Sequence, residues 1–516
     1  MTAEQIVAWI QQRAAGAALC ADSRCISNGD VFFAYPGDTG DAGDGRRFIA
    51  DAIERGAAVV IYEKSDYKTD AAVTVPALAV IGLKQQAGAI ANAWYQKPDA
   101  DMSILAITGT NGKTSCSQWL AAAWSRLAGP CAVIGTLGTG LVRNGVAEPL
   151  VETGYTTPDP ILLQRRLRAL RDAGAQALAI EASSIGLDQG RLRGLHIHTA
   201  LWTNLSRDHL DYHADMASYC AAKMQLFDWP GLQHAVINLD DATGLQLLQR
   251  LQTTAPHITL TGYSISGKSL AGIAHLAAHD LRTTHYGTTF QLTCGADTCV
   301  VKSRMVGAFN VSNLLGVIGV MLAHGFALPS IIAAIEALGP VPGRMQQCGG
   351  DDAPLVVIDY AHTPDALEKT LATLRHVARQ RSGKLWCVFG CGGDRDTGKR
   401  AAMGTAAMNA DEIVITSDNP RSETPSSIIA QILVGITQTT PISSIAPTIV
   451  APKIIEDRAA AILWAIRHAE RADVVLLAGK GHETTQEING KKYPFLDADH
   501  AALALATRAT NKGVHP

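Results

Sequence analysis

A chain of 516 residues exceeds what one hydrophobic core organises, and at about 150 residues per domain it predicts three. With 47% hydrophobic and 18% charged residues the composition is that of an ordinary globular protein, neither disordered nor fibrous. The formal net charge of −3 supplies no basic footprint, which argues against nucleic acid as a partner.

Taken in chain order, the first ten residues place Ile6, Val7, Trp9 and Ile10 near one face of an amphipathic helix. An early acid and the lack of a long apolar core argue against a signal peptide. No apolar run reaches the roughly 18 residues of a membrane span, so none is expected. The ten cysteines include no Cys-x-x-Cys; Cys387 and Cys391, the nearest pair, read as buried thiols, and a reduced cytoplasmic compartment is expected. Residues 1–98 mix short apolar runs with Gly/Asp-rich turns such as the one at 37–41, and form a smaller α/β domain.

From Ile104 the pattern alternates strand and helix. Strands are predicted at 104–108, 132–134, 177–180, 200–202 and 235–237, with a helix over 113–127. This describes an α/β domain over 99–340, a mainly parallel sheet with helices on both faces. Residues 258–304, rich in Thr and Gly, suggest an antiparallel insertion or extension of it. After Gly339-Pro340-Val341-Pro342-Gly343 the alternation restarts, predicting strands at 355–358, 385–389, 412–416 and 474–478 and a Rossmann-like α/β domain over 341–516.

The segment Thr108-Gly109-Thr110-Asn111-Gly112-Lys113-Thr114-Ser115 leaves a strand and opens a helix. Backbone N–H groups there suit phosphate, Lys113 the β/γ-phosphates, and the Thr114 hydroxyl Mg²⁺. Gly109 lies only three positions before Gly112, so the loop is shorter than G-x-x-x-x-G-K-[ST]. Glu181 and the run Thr203 to His213, including His209, also follow strands, where open α/β sheets place their ligands. Asp359 follows the first strand of the last domain, where a carboxylate could equally cap the next helix.

The form Gly-Thr-Asn-Gly-Lys-Thr is shared by the Mur ligases and the folylpolyglutamate synthetases, which join an amine to a carboxylate with ATP. The run 203–213 and Tyr219-Cys-Ala-Ala-Lys223-Met-Gln-Leu-Phe227 closely resemble the Mur ligases. That resemblance implies a carbamylated Lys223, an anion able to hold Mg²⁺ together with Glu181 and His209. It also implies nucleotide contacts at Asn310, Arg344 and Asp359. Three further segments resemble members that add meso-2,6-diaminopimelate: Gly390-Cys-Gly-Gly-Asp394-Arg395-Asp396, Asp418-Asn419-Pro420-Arg421-Ser422-Glu423 and Gly479-Lys480-Gly481-His482-Glu483. Two guanidiniums, Arg395 and Arg421, suit the distal carboxylate that lysine lacks, and Glu483 suits the distal ammonium. Asp418, Asn419, Pro420 and Gly479 complete that implied site.

Ser23, Thr156, Thr157, Ser183, Gln189 and Arg191 resemble the family's positions for a UDP-N-acetylmuramoyl dipeptide. Tyr155 and Ile185 depart from the more usual Asn and His. The implied reaction passes through an acyl phosphate, with ATP, Mg²⁺ and carbamylated Lys223 as the cofactor set and a monomer as the expected state. Rival readings are a lysine-adding relative, a folylpolyglutamate synthetase, and a nucleotide-driven switch without ligation.

Overall fold

The structure, a computed structural model, describes residues 1–37, 43–66, 73–284, 287–350, 352–438 and 451–511. Residues 38–41 of the expected Gly/Asp-rich turn fall outside the described residues. The chain divides into two compact units. One holds Met1–Asn204, Ala217–Gly262 and Gly316–Ala334; the other holds Leu205–Met216, Tyr263–Leu315 and Ile335–Pro516.

In the first unit the helix Ala3–Gln11 starts where expected, because Thr2 and Gln5 form a reciprocal capping box, and it buries Ile6 and Ile10. Four parallel strands follow in sequence order: Leu19–Cys20, Val31–Ala34, Val59–Glu63 and Ala77–Val80. Their alternation sorts two cores. Val31, Phe33, Val59 and Ile61 pack on one face, and Phe32, Ala34 and Val60 on the other. A strand apolar at every position is buried on both faces, as parallel sheets are.

A second sheet in this unit runs His234–Asn238, Thr199–Trp202, Ser103–Thr108, Ala177–Glu181 and Cys131–Gly135, all parallel. The antiparallel strands Gly138–Arg143 and Val146–Ala147 extend it. All five of the strands predicted here are present. The two sheets share packing: the helix Leu83–Trp94 carries Asn92, whose Nδ2 donates to Asp99 Oδ1 at 2.6 Å and Gln164 Oε1 at 3.2 Å. The expected linker at 98–101 lies in the turns between that helix and the strand Ser103–Thr108.

The second unit contains an antiparallel meander, Ala274–Thr284, Gly287–Cys294 and Asp297–Ser303, within the stretch read as an antiparallel insertion. Its main sheet runs Gln346–Gly349, Leu355–Asp359, Val474–Ala478, Leu385–Phe389, Glu412–Ile415 and Lys453–Ile454, parallel except for the first strand. Leu355, Val357, Cys387, Phe389 and Leu476 face one core, with residues of the helices Pro364–Gln380, Arg400–Ala407 and Pro425–Gln438. Val356, Ile358, Trp386, Val388 and Leu477 face the other, with the helices Arg458–His468 and Asp497–Asn511. Asp359, Gly390, Asp418 and Gly479 consequently lie just past or at the carboxyl ends of four parallel strands, the usual ligand edge.

Candidate active site

The first unit builds its share of the site around the turn from strand Ser103–Thr108 to helix Lys113–Leu127. Gly112 has φ +89° and Gly109 φ +143°, both in the region that favours glycine. A Cβ on Gly109 would lie 1.9 Å from Thr203 Oγ1, so the close approach of the next strand end also requires glycine. Asn204 locks the loop: its carbonyl accepts from Thr110 N at 2.8 Å and its Oδ1 from Asn111 N at 3.0 Å. Lys113 folds back and donates to Gly109 O at 2.9 Å and Thr110 O at 2.8 Å. Its ammonium thus rests on the phosphate loop itself, where a bound phosphate would offer stronger, charged acceptors.

Glu181 is fully buried at the end of its strand. Its carboxylate accepts from Thr136 N at 2.8 Å, Thr136 Oγ1 at 3.1 Å and Thr114 Oγ1 at 3.1 Å. Thr136 is a partner that sequence reasoning missed; a threonine after a strand gives no signal of its own. Lys223 is 1% exposed, lies 4.5 Å from the centre of the Tyr219 ring, and donates to Gly109 O at 2.8 Å. Thr110, through a 3.1 Å contact to Tyr219 OH, closes this wall of the loop. Glu181, Thr114 and Lys223 therefore meet at one loop.

This donor set fits a hard divalent cation. A carboxylate and a hydroxyl already lie 3.1 Å apart, and a carbamate on Lys223 would add oxygens beside Gly109. The unmodified amine would add a cation instead. Among the described residues no three His, Cys, Asp or Glu side chains form a ready metal cluster.

The residues expected at the sugar-nucleotide end divide. Thr157 Oγ1 donates to Glu181 O at 2.8 Å and lies 2.9 Å from Ser183 Oγ, which caps the short helix Ser184–Asp188. Arg191 donates to Gln189 Oε1 at 2.8 Å and Thr157 O at 2.9 Å, and its guanidinium sits 4.6 Å over the Tyr155 ring. Thr156 joins this group through Thr136, its hydroxyl 3.3 Å away. Ser23 stands apart, buried in a 3₁₀ turn capped by Asp22.

In the second unit His209 takes φ +55°, and its N–H donates to Asp208 Oδ1 at 2.9 Å. Asp208 is buried, which raises its pKa, yet nearby His362, His209 and Lys399 outweigh that and hold it well below the carboxylate range. A cavity of 270 Å³ in this unit is lined by Asn310, Arg344, Met345 and Gln346, with Val306 and Pro340 among its apolar walls. Two expected nucleotide residues, Asn310 and Arg344, thus share one pocket. The Arg344 guanidinium lies 4.2 Å over the Tyr360 ring. Asp359 accepts from Met345 N at 2.8 Å and Ala361 N at 3.0 Å; burial raises its pKa and Arg344 opposes. It does not cap the following helix, because Thr363 does.

The amine-site residues converge at the strand ends. A Cβ on Gly392 would meet Arg421 Nη1 at 3.0 Å and Arg395 Cγ at 3.8 Å, so both arginines border that glycine. Arg421, at φ +52°, donates to Gly393 O at 2.7 Å and lies 3.4 Å from Glu487. Arg395 lies 3.6 Å from Asp211. Gly479 must lack a side chain, since a Cβ would sit 2.5 Å from Asp418 Oδ2. Burial, then the Glu483 charge, push Asp418 up; burial also raises Glu483, but Lys480 and Asn419 bring it down.

Two ion pairs with buried arginines, which the sequence did not reveal, support this edge. Arg400, with no exposed surface, donates to Glu423 at 2.7 and 2.8 Å and to Gly392 O at 3.0 Å. Arg458 pairs with Asp497 at 2.7 and 2.8 Å, both fully buried, and donates to Ala478 O. The pairing partners lie 23 and 39 residues apart in the chain, beyond any local pattern.

Family models match nearly the whole chain. The Mur ligase family catalytic domain matches residues 17–95, the Mur ligase middle domain 107–321, and the Mur ligase glutamate ligase domain 343–481. The chain belongs to the Mur ligase family. It is 61% identical to the UDP-N-acetylmuramoyl-L-alanyl-D-glutamate--2,6-diaminopimelate ligase of Janthinobacterium sp. (strain Marseille), covering 98% of this chain and 97% of that one. It is 50% identical to the enzyme of the same name from Ralstonia nicotianae, over 98% and 96% of the two chains. A solved structure of a ligase with that name matches with a TM-score of 0.65 and 36% identity, covering 95% of each chain.

Proposed function

We propose that this chain uses ATP to join meso-2,6-diaminopimelate to the D-glutamyl γ-carboxylate of UDP-N-acetylmuramoyl-L-alanyl-D-glutamate, a step of peptidoglycan precursor synthesis. The observation that carries the choice of amine is the arrangement at Gly392, where Arg421 and Arg395 border one glycine. Two guanidiniums suit a substrate with a carboxylate at its far end, a partner that lysine does not offer.

In this reading the γ-carboxylate attacks the γ-phosphorus of ATP, the bond to ADP breaks, and an acyl phosphate forms. The amine then attacks the acyl carbon, loses a proton, and expels phosphate as the C–O bond breaks. Lys113, released from the loop carbonyls, stabilises charge on the transferring phosphoryl group. Two Mg²⁺ ions, one held by Thr114 and a second by Glu181, His209 and carbamylated Lys223, would supply further charge neutralisation. The pocket of Asn310 and Arg344 takes the nucleotide, with Asp359 beside it. Thr156, Thr157, Ser183, Gln189, Arg191 and, from the N-terminal 3₁₀ turn, Ser23 take the UDP-muramoyl dipeptide. Asp418, Asn419, Pro420, Arg421, Arg395, Gly479 and Glu483 take the diamine.

The division into segments 1–98, 99–340 and 341–516, one for each substrate, belongs to the same proposal, as do a cytoplasmic location and a monomeric state. No helix among the described residues is long and apolar enough to cross a membrane. The test is product formation, followed by mass, from the UDP-muramoyl dipeptide, ATP and Mg²⁺ with diaminopimelate, lysine or neither. Amide product with diaminopimelate in clear preference is expected. Preference for lysine would overturn the role given to Arg421, and no product with either diamine would overturn ligation.

A further inference from the structure

Lys480 has no exposed surface and takes part in no step described above. Its ammonium has three hydrogens to donate, and the structure supplies three acceptors: Thr485 O at 2.7 Å, Glu483 Oε2 at 2.9 Å and Asn419 Oδ1 at 3.2 Å. It therefore has no donor left for a substrate. Asn419 Nδ2 also donates to Glu483 Oε2, at 2.7 Å. Both protein donors thus act on one oxygen of Glu483. Among the described residues, none makes a hydrogen bond to its other oxygen, Oε1.

We infer that Lys480 is a positioning residue for amine recognition, acting with Asn419 to clamp Glu483 by one oxygen so that the other faces the substrate ammonium. The inference rests on the diamine reading given above and adds what fixes Glu483. Burial alone would favour a neutral carboxylic acid, which cannot attract an ammonium through its charge. Lys480 opposes that burial and keeps the carboxylate ionised. Asn419 links the two halves of the clamp, since its Oδ1 also accepts from Glu487 N at 2.9 Å. Asn419 accordingly acts through Glu483 with its side chain. This positioning role is added to the direct contact first expected of it.

The test compares Lys480→Met, Glu483→Gln and the double variant, reading KM for diaminopimelate, KM for ATP and kcat across pH. Removing one partner of a buried charged pair predicts a KM for diaminopimelate raised roughly 30-fold or more in Lys480→Met, with KM for ATP little changed. That KM should fall as pH rises, because Glu483 without Lys480 ionises only at higher pH. Adding Lys480→Met to Glu483→Gln should change KM by less than about threefold, because the group Lys480 acts on is already neutral. The double variant also leaves no unpaired buried charge, which guards against a folding failure of the single one. Equal KM effects of Lys480→Met in the two backgrounds, or a fall in kcat with KM unmoved, would overturn the inference. Wild-type enzyme that forms no amide with any diamine would instead overturn the functional reading beneath it.

Discussion

The proposed phosphate loop of the first unit and the proposed amine site of the second are held by different forces. Around Gly109 the fixing contacts are backbone and hydroxyl groups: Asn204 on the loop N–H groups, and Thr114 and Thr136 on one buried carboxylate. In the second unit they are ion pairs built on buried cations, Arg400 with Glu423, Arg458 with Asp497 and Lys480 with Glu483. A loop bound to its own chain keeps its shape whatever ligand arrives. A site made of compensated charges selects by charge, because a ligand of the wrong charge leaves a buried group unpaired.

If that contrast holds, the largest loss of chemistry should come from the first region and the largest losses of stability or selection from the second. The largest effect expected is from Lys113→Ala, which removes the cation at the transferring phosphate. We predict that kcat for phosphate release falls by about 10³-fold, around 4 kcal/mol, with thermal stability unchanged. Activity retained within tenfold would place that charge elsewhere.

Next comes Arg458→Met, which leaves Asp497 buried and unpaired and should cost about 3–5 kcal/mol in denaturant unfolding. Adding Asp497→Leu should recover most of that loss; a double variant as unstable as the single one would refute the charge-pair account. Thr157→Val, which strips the hydroxyl between Glu181 O and Ser183, should cost a smaller 1–2 kcal/mol or about that. An unchanged unfolding midpoint would show that this hydroxyl adds nothing to the wall beneath the loop.

The smallest effect is pH-dependent. Arg400 holds Glu423 down at about 2, against an ordinary 4.5. A carboxylate lowered on folding stabilises fully above its unfolded value and loses that contribution as pH falls from about 4.5 toward 2. The carboxylate is partly exposed, so the effect is modest. Arg400→Met should flatten stability against pH in that window, which an acid titration of unfolding would register.

The same contrast explains what could be seen in the sequence. The helix Lys113–Leu127 and the strand Val474–Ala478 fall at their expected bounds, because an apolar run with a glycine turn at its end is a local signal. The two-residue strand Leu19–Cys20, the strand Gln346–Gly349 and the hairpin Thr485–Ile488 with Lys491–Pro494 passed unseen. They are short or polar and become strands only by pairing with a neighbouring segment, which the pattern of either alone does not announce. The helix Arg458–His468 starts where it does because Asp457 caps it and Ile455 is drawn to Ile415. In the site, the loop and Glu181 were readable from position alone, and Arg421 and Glu483 through family resemblance. Thr136, Tyr360, Arg400, Arg458 and the clamp by Lys480 needed the fold, because each acts on a partner that no spacing rule links to it.

The central claim is that Arg421, with Arg395 beside it at Gly392, selects a diamine bearing a distal carboxylate. Its most direct test is kcat/KM for meso-diaminopimelate and for lysine, measured side by side in wild type and Arg421→Ala. The account predicts strong wild-type preference for diaminopimelate and a loss of about 2–4 kcal/mol of that preference in the variant, through diaminopimelate and not lysine. An Arg421→Ala enzyme that still prefers diaminopimelate as strongly as wild type would contradict it.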